Sequence, residues 1–155
     1  MPLAQCTFVL NSQPLSILTC GGLTVPAYSG RPGQLNNPAA VTDAKRGPLP
    51  KGRYYIVDEP RVARLGWLKE LRERPSANVF ALYRADGAID DWTFVDGLRR
   101  GRFRLHPIGS AHACEGCITV ALPKAFDRLA TRLRASERAL IPGTSARYYG
   151  MLDVK

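Results

Sequence analysis

Residues 102–122 constrain the fold more than any other stretch, because they carry two strand signatures joined by a loop. From Arg102 to His106 apolar Phe103 and Leu105 alternate with polar Arg102, Arg104 and His106. Such period-2 alternation is expected of a strand that buries one face. Pro107, Gly109 and Ser110 break the pattern, as turn formers do. Cys117-Ile-Thr-Val-Ala-Leu122 then reads as a second strand, mostly apolar and β-branched. His106 and Cys117 thereby stand at opposite ends of one connection, with His106 on the same face as Arg102 and Arg104.

That pairing points to thiol chemistry. A free thiol, with a pKa near about 8.5, is mostly protonated at neutral pH, and the thiolate is the nucleophile. An adjacent imidazole can take the proton, and nearby arginines favour the anion. Gly116 lets the backbone approach a substrate closely, and the N–H groups of Gly116 and Cys117 can face a developing oxyanion. Three other readings use the same residues. Cys114 and Cys117 form a C-x-x-C pair, a disulfide or redox motif; a thioredoxin-like site would place a helix after it, whereas here a strand follows. His106, His112, Cys114 and Cys117 are all zinc-type ligands, which makes a zinc-stabilised basic binding module the alternative function. Cys117 as an inert buried thiol is the third reading.

Elsewhere the chain reads as scaffold. Thr7 to Leu10 and Leu15 to Thr19 form an opening hairpin around Ser12-Gln-Pro14, and Leu23 to Tyr28 is a third strand. Cys6 and Cys20 on these strands are most simply buried small apolar residues, although four cysteines allow two bridges. Arg31 to Pro50 is a long Pro-, Gly- and Asn-rich loop of the kind that borders clefts. Tyr54 to Val57, Val79 to Tyr83 and Trp92 to Val95 are further strands, with a turn at Ala85-Asp-Gly87, and Arg147 to Val154 is the last. Helical spacing over Arg61–Arg74 and Pro123–Leu140 predicts two helices, the second with Phe126, Leu129, Leu133 and Leu140 on one stripe. The expected architecture is therefore a single domain over residues 1–155, mainly β with two flanking helices (α+β).

Gly47-Pro-Leu-Pro-Lys-Gly52 is a rigid turn before a strand, since proline fixes φ and glycine permits tight bends. Taken with Tyr28-Ser-Gly30 and Asn36-Asn37 ahead of it, and with Phe-Arg-Leu-His-Pro and Gly-Cys-Ile behind it, the chain resembles the L,D-transpeptidase family of peptidoglycan-modifying enzymes. The similarity is greatest to the branch delivered as antibacterial toxins by type VI secretion, and it covers roughly Tyr28 to Leu122. It implies an L,D-transpeptidase-like β-sandwich or barrel and needs no cofactor or metal. Cys117 would be the acylated nucleophile, His106 its base oriented by the Pro107 carbonyl, and Gly116 an oxyanion N–H donor. Arg104, two residues before His106 and on its face, is by position either an exposed strand arginine or a guanidinium that binds a substrate carboxylate, and Ser110 and Cys114 would contact the same substrate. Family members commonly carry Ser or Thr three residues before the nucleophile and often His two before, where this chain has Cys114 and Glu115. A Cys114–Cys117 bridge would silence the nucleophile, so activity is expected to depend on reducing conditions. The resemblance also implies stem peptides as substrate, a cognate immunity protein and a secretion carrier as partners, and action in the periplasm of a target bacterium after synthesis in the cytoplasm.

Charge narrows the remaining classes. With 22 basic against 13 acidic residues the formal charge is +9, which suits nucleic acid or any other polyanionic surface. No homeodomain, zinc-finger or RNA-recognition signature is present, so nucleic acid is not the expected partner. The first ten residues lack the basic and continuous apolar regions of a secretory signal, and no apolar run reaches the length of a membrane span.

Overall fold

The computed structural model describes residues 3–43, 45–58, 79–85, 92–95, 98–108, 116–144 and 146–155. Its strands are β1 (Ala4–Phe8), β2 (Ser16–Cys20), β3 (Leu23–Ser29), β4 (Gly52–Asp58), β5 (Phe80–Arg84), β6 (Trp92–Val95), β7 (Leu98–Gly101), β8 (Arg104–Pro107), β9 (Ile118–Val120), β10 (Ala139–Leu140), β11 (Arg147–Tyr148) and β12 (Gly150–Val154). Among the described residues there is a single α-helix, α1 (Pro123–Ala135), and a short 3-10 turn at Pro38–Ala40. The predicted helix over Arg61–Arg74 and the Ala85-Asp-Gly87 turn fall wholly or partly outside the described residues.

Eight strands close into a barrel in the order β1-β12-β4-β5-β8-β9-β3-β2. The fold is thus mainly β and, of the sandwich and barrel alternatives, a barrel. Closure comes from β1 lying parallel to β12, Ala4 opposite Gly150 through Phe8 opposite Val154. Period-2 patterning sends Phe8, Leu18, Val25, Ala27, Tyr54, Ile56, Phe80, Leu82, Leu105, Ile118, Val120 and Leu152 into one buried cluster. A smaller cluster of Val57, Ala81 and Ile141 is packed by Tyr55, Tyr83 and Tyr148, where β10 and β11 meet.

Helix α1 starts at Pro123, whose missing N–H is no loss in a first turn. Phe126, Leu129, Ala130 and Leu133 join the core cluster, each large side chain contributing roughly 1.5–3 kcal/mol of apolar burial. The helix ends at Ala135, short of the predicted Leu140, because Ser136 is extended and returns its N–H to the Leu133 carbonyl. Leu140 therefore leaves the apolar stripe and is exposed. The helix end is tied to β4: Arg134 and Arg138 lie 3.6 and 3.8 Å from the Asp58 carboxylate, and Tyr149 donates its hydroxyl to the same group. Burial first, then that hydrogen bond, raises the Tyr149 pKa above its ordinary value.

Cys6 and Cys20 are not simply packed thiols. They are register partners on β1 and β2 and form a disulfide across 14 residues. A loop of that length loses enough unfolded-chain entropy to stabilise by about 3 kcal/mol. The Cys6→Ala/Cys20→Ala double variant is expected to unfold with a stability about 3 kcal/mol lower, measured by urea titration under non-reducing conditions.

Candidate active site

Strands β8 and β9 run parallel, with Leu105 opposite Ile118, His106 opposite Thr119 and Pro107 opposite Val120. Leu105, Ile118 and Val120 enter the core cluster. By alternation the remaining set, Arg104 and His106 on β8 with Cys117 and Thr119 beside them, lies on the other face. Continuing the register backwards puts Cys117 opposite Arg104, and the Arg104 N–H donates to the Cys117 sulfur at 3.0 Å. His106, opposite Thr119, is the diagonal neighbour of Cys117 on the same face. Both residues are buried, His106 to 7% and Cys117 to 4% exposure.

The local geometry at each residue follows from its neighbours. His106 Nδ1 lies 2.9 Å from the Pro107 carbonyl oxygen, an arrangement that places the proton on Nδ1 and leaves Nε2 as the basic nitrogen. Arg104 is half-buried and returns an Nη1–H to the Phe103 carbonyl at 2.8 Å. Arg102 does not share the strand face expected of it. Its φ of +57° places it before β8, which begins only at Arg104. The Arg102 carbonyl oxygen stands 3.9 Å from the Cys117 sulfur.

Gly116 has φ +86°, in the left-handed region where a Cβ is penalised. Space forbids a side chain as well: a Cβ there would stand 2.5 Å from Arg100 Nη2 and 2.9 Å from the Phe103 ring. Its carbonyl accepts the Ser29 hydroxyl at 3.4 Å. That same Ser29 oxygen accepts the Leu49 N–H at 2.8 Å, and Asn36 caps Ser29 N–H at 2.8 Å through its side-chain oxygen. The Tyr28-Ser-Gly30, Asn36 and Gly47-to-Gly52 segments, far apart in sequence, converge beneath the residue before Cys117. Leu49 is fully buried in the core, and Tyr54 donates to the Pro50 carbonyl at 2.6 Å.

Cys117 carries its sulfur in a disulfide. Cys6 and Cys20 are bonded to each other; Cys114, with Ser110 and His112, lies outside the described residues. No cluster of three or more metal-type ligands occurs among the described residues, which do not include His112 and Cys114. No described helix is long and apolar enough to cross a membrane.

A family model described as the Tlde1 domain matches residues 23–144, from β3 through both site strands and past α1. The chain belongs to this family. Tlde1-domain proteins are type VI secretion effectors of the L,D-transpeptidase kind, with peptidoglycan as their target. No curated protein and no solved structure matches the chain. The match takes in the Ser29, Gly47–Gly52, His106 and Gly116–Cys117 segments described above.

Sequence reasoning missed Arg100, whose guanidinium is buried against the glycine before Cys117. It sits in a basic run, Arg99-Arg-Gly-Arg-Phe-Arg104, that ordinarily marks a solvated face. Gly116→Ala is expected to cost about 1–3 kcal/mol of stability, from left-handed strain and the clash with Phe103. Thermal unfolding compared with wild type measures it.

Proposed function

We propose that this Tlde1-domain chain cleaves tetrapeptide stems of peptidoglycan through an acyl-enzyme on Cys117. The observation that carries the reading is the β8–β9 register, which sets a buried cysteine diagonally beside a histidine whose Nδ1 is held by a carbonyl. His106 takes the Cys117 proton, and the sulfur attacks the carbonyl carbon of the bond between the L-centre and the terminal D-alanine. The tetrahedral oxyanion is received by the N–H groups of Gly116 and Cys117. As the C–N bond breaks, His106 returns the proton to the departing amine, and D-alanine leaves. Water attacking the thioester then releases a tripeptide, which is L,D-carboxypeptidase activity. An incoming amine gives exchange or cross-linking instead, which is L,D-transpeptidase activity.

Arg104 and the +9 formal charge favour a substrate bearing carboxylates. Ser110 and Cys114 are assigned to the same substrate. The place of action is the periplasm of a target bacterium, with an immunity protein that blocks the site and a secretion carrier as partners.

The disulfide at Cys117 makes this chemistry conditional on the thiol state. A dithiol reductant supplies the two electrons and two protons that return both sulfurs to thiols, and the nucleophile then exists. Incubation with tetrapeptide muropeptides, followed by mass spectrometry, is expected to show loss of D-alanine from reduced wild type. None is expected from Cys117→Ala or from the oxidised protein. If reduced wild type leaves the tetrapeptide intact, the proposed reaction is wrong. Arg104→Ala is expected to raise KM for the stem peptide about tenfold with little change in kcat, the pattern of lost ground-state binding. Steady-state kinetics on the same substrate decide it.

A further inference from the structure

Behind the proposed nucleophile the chain buries a cation that the reaction does not consume. Arg100, on β7, is 2% exposed. Its Nη1 donates to the Val41 carbonyl at 2.9 Å and the Pro48 carbonyl at 2.6 Å, and its Nη2 to the Gly47 carbonyl at 3.1 Å. Its guanidinium carbon stands 5.4 Å from the centre of the Phe103 ring. Taking such an ion out of water costs several kcal/mol. Carbonyl dipoles and an aromatic face offset that cost here, and the aromatic ring, that of Phe103, also lies against Gly116. The guanidinium itself lies where a Cβ of Gly116 would be. From the other side Ser29 holds the Gly116 carbonyl and the Leu49 N–H with one hydroxyl. Two buried side chains therefore fasten the 41–49 loop and the glycine before Cys117 to each other.

We propose that Arg100 is a positioning residue for acyl transfer: its planar fork fixes the loop carbonyls and props the backbone at Gly116, so that the Gly116 and Cys117 N–H groups stay aimed at the oxyanion. The assignment of those N–H groups rests on the reaction proposed above. Glycine in the left-handed region has little intrinsic stiffness, and without a prop the flanking peptides rotate. A guanidinium spans acceptors in a fixed plane, whereas an ammonium of the same charge is a compact point donor. The shape of Arg100, rather than its charge, is what the site requires.

Two reagents separate positioning from thiol reactivity. Iodoacetamide alkylates a thiolate by displacement and forms no oxyanion; p-nitrophenyl acetate acylates it through a tetrahedral oxyanion. Each is applied to reduced wild type, Arg100→Met, Arg100→Lys and Ser29→Ala, and adducts at Cys117 are quantified by peptide mass spectrometry. The three variants are expected to lose acylation rate, Arg100→Met and Arg100→Lys about 10²-fold, as a displaced oxyanion donor does, while alkylation stays within about twofold. Failure of the lysine variant to rescue is part of the expectation. If acylation and alkylation fall together, if neither falls, or if lysine restores acylation, the proposal is overturned. Where circular dichroism shows Arg100→Met unfolded, Arg100→Lys and Ser29→Ala decide by the same ratio. Selective acylation of wild type without D-alanine release from muropeptides would refute the proposed reaction and leave the positioning role standing; D-alanine release with an unchanged ratio in the variants would do the reverse.

Discussion

A sheet that closes on itself has one interior, and that constraint governs everything else in this molecule. Each barrel strand must give alternate residues to the core, so the residues left over are sorted onto the opposite face without further instruction. Along β8, and along β9 with the residue before it, the core takes Leu105, Ile118 and Val120, and the other face keeps Arg104, His106, Cys117 and Thr119. The catalytic candidates are thus placed by the same alternation that builds the core. A one-residue slip of either strand would exchange the two sets and bury the wrong ones.

Closing the barrel leaves its connections to be managed. The 29–50 segment is long and carries many backbone polar groups that sheet hydrogen bonds do not satisfy. Ser29, Asn36 and Arg100 supply partners for Leu49, Ser29 and the carbonyls of Val41, Gly47 and Pro48. Tyr54 does the same for Pro50. The loop that looks like a simple surface excursion is in fact pinned by buried donors, and the pins converge on Gly116.

The sequence made the strands legible wherever β-branched or aromatic residues were concentrated, as in Tyr54–Val57 and Trp92–Val95. Strand β7 went unseen because Leu98-Arg-Arg-Gly101 has one apolar residue and no β-branched one. The Cys6–Cys20 bridge was hidden because a buried thiol and a half-cystine favour the same positions. The signal that could have found it was register, since a hairpin turning at Ser12-Gln-Pro14 sets Cys6 against Cys20. The neighbourhood of Cys117 was readable from local spacing, His106 and Gly116 being close in sequence. Arg100 was not, because its acceptors at Gly47 and Pro48 lie 53 and 52 residues away, and no local pattern distinguishes a guanidinium that will be buried from one that will be solvated.

Strand β12 sits between β1 and β4, so the stave that completes the barrel consists of residues 150–154 while its parallel neighbour consists of residues 4–8. Contacts of such long range form late and cost loop-closure entropy before they return any stability. A ribosome-bound chain that has already exposed His106 and Cys117 still lacks β12 and its two pairings, with β1 and with β4. The last-made strand of the barrel is thus the one that joins its two ends, and the barrel closes only after residues 150–154 have been made.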